Sequence, residues 1–489
     1  MYILGNREKG RLDMTQEKLM ADQKVPLLVK IGYGIGTAGD SVPYNLFFTY
    51  FLFFLTDVAG VNPALAGIIS FIAVMWDAVT DPAVGFMSDN SRNPNGRRRP
   101  WIFTSMWPLA IVTFLLFIPN EFAGVAQSVY YILMAILLWT FYTTYAVPYA
   151  ALGAEITRDY NERNTIRMIV GLAAYPFVAL CNSGPMWIIA ALAPKGVDVK
   201  TCWGIAGAAA GVVIILCGLI LYFATKGRED MTYLQNIEKN KPRESVIKTY
   251  KELFKIKAYR NLIFTGIFYI IGYTLFSGVG VYLMTYCAKL TPGQQATFWS
   301  VYTVMAICCT PVSIIVANKI GSKKITLFIF SLLFVANGIV MYFLGMTCFT
   351  HVMINGFMIA LSTSAFWGLY YATVYDVCEL DEFINGKQRE GSVVAVAQFF
   401  QKAGGAFATS ATGWMLTAFG YTGSGAESET AIHGILLMAT IIPAVFVFIS
   451  MLIFSKYPIN KKEFDAIKEA LQKKKAGEEY STEGFEKAL

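Results

Sequence analysis

The sequence predicts an all-α membrane protein whose twelve spanning helices form two six-helix halves. Three observations predict it. Of 489 residues, 55% are hydrophobic and only 15% charged, well below the ~25% of a soluble protein. Apolar runs of about 20 residues, enough to cross a bilayer as helix, recur along the whole chain. Lys and Arg gather in alternate connections, as the positive-inside rule requires of a protein that crosses repeatedly.

The elements follow in order. Residues 1–27 are polar and mixed in charge, a plain tail without signal-peptide character. Spans at 28–56, 62–87, 101–118, 126–152, 167–191 and 204–225 make the first half, 28–225. Residues 226–259 are the longest internal hydrophilic segment and form the central loop. Spans at 260–287, 297–318, 325–346, 350–377, 392–418 and 431–455 make the second half, 260–455. The tail 456–489, rich in Lys and Glu, reads as a solvated helix. Loops after the even-numbered spans and both tails carry nearly all the basic residues; the alternate loops hold Lys195, Lys200 and Lys289. Both termini are therefore expected in the cytoplasm of a plasma (inner) membrane. This bias accounts for the net charge of +7, so no nucleic-acid partner is implied. The eight cysteines are scattered without paired spacing, which suggests neither a disulfide frame nor a metal centre.

The halves echo each other. GFMSDNSRNPNGRRRPW follows span two, and VANKIGSKKIT stands at the matching place after span eight. Such duplication belongs to transporter folds that bind solute between the halves near the membrane midplane, and it suggests a major facilitator architecture.

Charges at bilayer depth cost several kcal/mol unless paired or wetted, so each marks a candidate site. Asp77 and Asp81 in WDAVTDPAVGF are four apart, on one helix face. Two such acids repel unless they share a proton or a cation sits between them. Pro82 frees the Ala78 carbonyl, a further oxygen for H+ or Na+ chemistry. Lys402 lies far from either end of span eleven and needs an acidic partner, for which that pair is the natural choice. Asp40 follows the glycine-rich YGIGTAG, and Arg167 opens span five. Gln398, Tyr149 and Trp367 are polar or aromatic candidates for substrate contact.

WDAVTDPAVGFMSDNSRNPNGRRRPW resembles the signature of the glycoside–pentoside–hexuronide:cation symporters. YGIGTAGD, VPYAALGAEIT, NERNTIRM, NGKQREG and QKAGGAFA extend the likeness through both halves in the expected order. The resemblance implies that Asp77 and Asp81 bind the coupling cation, H+ or Na+, with Thr80 and Thr143 as hydroxyl neighbours. It implies a coupling role for Lys402, a sugar-pocket role for Arg167 and an aromatic platform at Trp367. Three positions depart from the family pattern. Ala146 replaces an acid, Ala150 replaces a stacking tryptophan, and Ser41 stands where a sugar-binding acid is expected, with Asp40 beside it.

Gly85 and Asp89 resemble the loop motif of major facilitators, in which an acid latches to an arginine. Asp376, Glu379, Asp381 and Glu382, with Arg389 following, form a matching cluster. Ion pairs from these acids to Arg98 or Arg163 would close the cytoplasmic side. The expected function is cation-coupled symport of a glycoside, pentoside or hexuronide by alternating access, with no cofactor. A lysolipid-like solute is the alternative, and a membrane receptor or enzyme a remote one. His351 and His433, the only histidines, have no catalytic framework around them in the sequence.

Overall fold

The computed structural model describes residues 24–118, 120, 122–157, 159–229, 246–386, 389–423, 425, 427–476, 478–482 and 485–486. Most of the predicted N-terminal tail and the middle of the central loop lie outside them. Among the described residues there is no strand, and ten helices are long and apolar enough to cross a membrane.

The other two predicted spans are also helical, with instructive differences. Span one is not a single rod. It divides into α1 (Leu27–Ile35), α2 (Ala38–Leu46) and two π-helical turns, Phe47–Phe51 and Phe54–Val58. Its glycines let other helices approach: a Cβ on Gly32 would lie 2.2 Å from Ala224 Cβ, and one on Gly39 would lie 2.3 Å from the Tyr145 ring. Span eleven is one 29-residue helix, α13 (Glu390–Ala418). Its apolar run is diluted by Gln398, Gln401, Lys402 and several hydroxyl residues.

Between them run α3 (Pro63–Asp89), α4 (Arg99–Phe117), α5 (Gly124–Glu155), α6 (Tyr160–Leu192) and α7 (Val199–Ala224). The second half adds α9 (Lys257–Tyr282), α10 (Pro292–Ile320), α11 (Lys323–Leu344) and α12 (Phe349–Asn385) before α13, then α14 (Glu429–Ala439) and α15 (Ile441–Ser455). Local chemistry sets the ends. The Asn62 side chain accepts from Ala64 N at 3.0 Å, ahead of Pro63 at the first helical position of α3. Thr291 and Gln294 form a capping box at α10, and Gly321 ends that helix at φ +70°. Seven spanning-segment prolines, Pro82 among them, sit inside helices that continue past them, as neighbouring helices in a membrane allow.

Two hydrophilic segments contribute helices; the one in the C-terminal tail is the helix expected there, packed where a solvated one was expected. Within the central loop, α8 (Val246–Lys255) buries Thr249 and Leu253. In the C-terminal tail, α16 (Lys461–Ala476) buries Ile467, Ala470 and Leu471 and packs on α12. Both helices carry one apolar stripe, which water alone would leave uncovered.

The halves meet along two antiparallel helix pairs, α3 with α13 and α6 with α10. Far from the basic loops, α3 and α13 touch backbone to backbone. A Cβ on Gly413 would stand 2.2 Å from Pro63 O, and one on Gly67 would stand 2.7 Å from Ser410 O. Toward the basic end the pair separates enough to admit the Lys402 side chain.

Candidate functional site

A cavity of two joined lobes lies between the halves. The lobe nearer the basic end holds about 380 Å³ and the upper lobe about 680 Å³. They share Asp40, Tyr44, Tyr142, Trp367 and Gln398.

The acidic pair and the lysine meet as the sequence suggests. Lys402 Nζ donates to Asp77 Oδ2 at 2.6 Å and to Asp81 Oδ2 at 2.5 Å. Asp77 is completely buried, and its other oxygen accepts from Thr143 Oγ1 at 2.5 Å. Thr80 Oγ1 lies 3.3 Å from Thr143 Oγ1 and also donates to the carbonyls of Trp76 and Asp77, one turn back. Two acids, two hydroxyls and one ammonium thus form a closed set. The ammonium occupies the space between the carboxylates, so a cation that binds both acids must displace it. The desolvation cost of a charge this deep is offset by the close pairing with opposite charge and by the Thr143 hydroxyl.

Asp40 lines both lobes and accepts from Tyr142 Oη at 2.7 Å. The same tyrosine presents its ring to Lys402 Nζ at 5.9 Å. Tyr142 therefore connects the Asp40 side of the cavity to the acid–lysine set. Sequence reading missed it, because a tyrosine in an aromatic span is indistinguishable from core. Trp367 is 42% exposed and lies parallel to Tyr371, ring centres 6.2 Å apart, as a platform on the cavity wall. Gln398 is exposed to both lobes. Tyr149 lines the lower lobe but is buried, stacked on Tyr33 at 4.7 Å and donating to Tyr33 O at 3.1 Å. Arg167 is exposed and lines neither lobe.

Asn45, Thr49, Tyr175, Asn182, Ser277 and Ser364 add hydroxyls and amides to the upper lobe, where Asp40 is the single charged lining residue. The lower lobe contains Asp40, Asp81 and Lys402.

The gate residues pair within their own halves. Arg98 is buried and reaches Asp89, Glu155 at 3.0 Å and Ser88 at 2.7 Å. Glu155 also takes Arg97 at 2.5 Å. Arg163 donates to Thr157 O and Ala154 O. On the other side Asp376 holds Lys323 at 2.8 Å, Glu379 faces Lys468 at 3.9 Å, and Arg389 joins Asp381 to Glu252. Among the described residues no ion pair joins the halves at the basic end. Burial raises Glu229, which accepts from Arg98 N, above the usual carboxylate range.

A family model described as MFS/sugar transport protein matches residues 32–461. The symporter YnaJ of Bacillus subtilis is 26% identical over 90% of this chain and 94% of its own length. The inner membrane symporter YicJ of Escherichia coli is 27% identical over 90% and 93%. A lactose permease of Lactobacillus helveticus is 25% identical over 90% of this chain and 71% of its own. Among solved structures, the nucleoside transporter NupG shares the fold at TM-score 0.63 and 12% identity, over 88% of this chain and 99% of that one. A bacterial homologue of the human lysosomal transporter Spinster, inward-facing and unoccupied, matches at TM-score 0.60 and 13% identity, over 88% and 97%.

Proposed function

Because the chain belongs to the MFS/sugar transport protein family, we propose that it is a cation-coupled symporter whose solute is a neutral, hydroxyl-rich glycoside. It is a multi-pass membrane transporter and not an enzyme. The single observation that carries the substrate reading is the lining of the cavity. Its upper lobe offers hydroxyls, amides and the Trp367 platform, with Asp40 as its one charge. Lys402 is already held by two acids, and Arg167 is outside the lining. A uronate or sulfonate carboxyl or sulfonyl group would find no free cation there and would face Asp40. Lobes of this size suit a sugar conjugate of one or two rings, in keeping with the lactose-carrying relative. A lysolipid-like solute would need a wall free of polar groups, whereas every helix around the upper lobe contributes at least one.

The coupling ion, H+ or Na+, goes to Asp77 and Asp81. Its arrival releases Lys402, and the change at α3–α13 is felt by Asp40 through Tyr142. Ion and sugar each favour the state the other favours, so their affinities are reciprocally linked. With the basic end taken as cytoplasmic, from the charge bias, the arrangement reads as inward-open: among the described residues no ion pair joins the halves there, while α3 and α13 touch at the opposite end. In the outward-open state Asp376 or Glu379 of the second half would instead meet Arg98 or Arg163 of the first across the cytoplasmic seam.

A thermal-shift screen of purified protein tests this reading. Neutral glycosides, hexuronates, sulfonated sugars and lysolipids are compared with and without Na+ at two pH values. A ligand specific to the folded state raises Tm. Neutral glycosides should do so and the anionic sugars should not; a shift with hexuronate alone would overturn the neutral assignment. A Na+-enhanced shift identifies Na+ as the ion, and a shift that follows only pH identifies H+.

A further inference from the structure

At the end of the bundle opposite the basic loops, one carboxylate joins the halves. Asp57 closes span one, in the turn Phe54–Val58. Its Oδ1 accepts from Tyr286 Oη at 2.5 Å and from Tyr421 Oη at 2.6 Å, both from the second half. Its Oδ2 accepts from Thr56 Oγ1 at 2.5 Å. Thr56 Oγ1 in turn lies 2.8 Å from Tyr282 Oη. When Tyr282 donates, the threonine hydrogen is free for Asp57, so three second-half tyrosines feed one first-half acid.

The rings close the space around the acid. Tyr421 stands edge-on to Tyr282 and Tyr286, with centres 5.4 and 5.5 Å apart, and Phe53 meets Tyr282 at 5.1 Å. Gly423, at φ +72°, brings the loop after α13 onto this turn: a Cβ there would lie 2.8 Å from Thr56 O. Apart from the acid–lysine set, only the Ser183–Ser300 and Tyr175–Thr310 hydroxyl contacts also cross between the halves among the described polar pairs.

We propose that Asp57, Tyr286 and Tyr421 are the outer gate of this transporter, positioning residues that set how readily the outer side opens. The assignment rests on the alternating-access reading above. Opening outward must part the halves here, which breaks both tyrosine bonds and returns the carboxylate to water. Closing strips that water and supplies three hydroxyl donors in its place. The exchange is nearly balanced, as a gate that opens in every cycle needs. A purely apolar plug at this position would favour closure without an opposing hydration term.

The test uses the full chain carrying Ser277→Cys, which places a thiol in the upper lobe. Tyr286→Phe, Tyr421→Phe and the double variant keep the rings and delete only hydroxyls. Intact cells are labelled from outside with a membrane-impermeant maleimide, everted vesicles from the other face, and labelling of the chain without Ser277→Cys is subtracted. The outer rate should rise at least threefold in the single variants and further in the double, while the inner rate falls. Outer rates equal to the parent in all three variants would overturn the gate. Labelling requires no sugar, so failure of every ligand in the thermal screen would strike the substrate reading and leave this result standing.

Discussion

Lys402 Nζ lies 2.5 Å from Asp81 Oδ2, a contact that ties the second half of the chain to the first across the cavity. In the proposed symport the ammonium and an incoming cation would compete for the same oxygens. Coupling would then need no long pathway: displacing one charge would loosen the α3–α13 seam.

Asp81→Asn leaves Lys402 paired with Asp77 and removes the second ion ligand. Uphill accumulation of sugar should be abolished, while sugar exchange down equal concentrations persists. Accumulation and counterflow in membrane vesicles separate the two. Full accumulation would remove Asp81 from the coupling site.

Lys402→Ala leaves two carboxylates facing each other with no ammonium. They should then hold a proton or cation in every state, so accumulation should fall at least tenfold with exchange much less affected. Parental accumulation ratios would make the lysine a structural tie only.

Gly413→Ala should lower stability by about 1–3 kcal/mol, the cost of overpacking, because its Cβ would lie 2.2 Å from Pro63 O. Gly171→Ala, whose Cβ meets nothing within 4 Å, should be neutral or slightly stabilising in a helix. Equal Tm values for both would deny the close helix contact.

Arg98→Ala should cost about 3 kcal/mol, since it removes the buried cation that two acids share. Asp89, Glu155 and the Ser88 hydroxyl all lose their bond to it. Denaturation by urea in detergent reads the loss; a parental midpoint would show the cluster to be solvent-compensated.

The candidate site was legible where the membrane makes residues conspicuous. Asp77, Asp81 and Lys402 stand out because a charge in hydrocarbon demands a partner. Tyr142 does not, because aromatic residues fill the whole of α5, and only packing decides which of them faces Lys402. Asp57 escaped notice at the edge of its span, where an acid carries no penalty that sequence can register. Arg167 shows the converse: its family motif is intact, yet it is exposed and lines neither lobe. In α8 and α16 the polar composition hid one apolar stripe that tertiary contact covers.

The sequence by itself determined the class, the apolar spanning segments, the charge bias and the identity of the acid–lysine set. These follow from the cost of moving charge and bare backbone into a bilayer, which acts on each segment separately. The tertiary structure alone decided which end of the bundle is shut, which ion pairs stay within a half, and that tyrosines of one half close on an acid of the other. Those outcomes depend on how two halves with the same helices are tilted against each other. Tilt is a balance of many small contacts between residues far apart in the chain, and no local pattern encodes it.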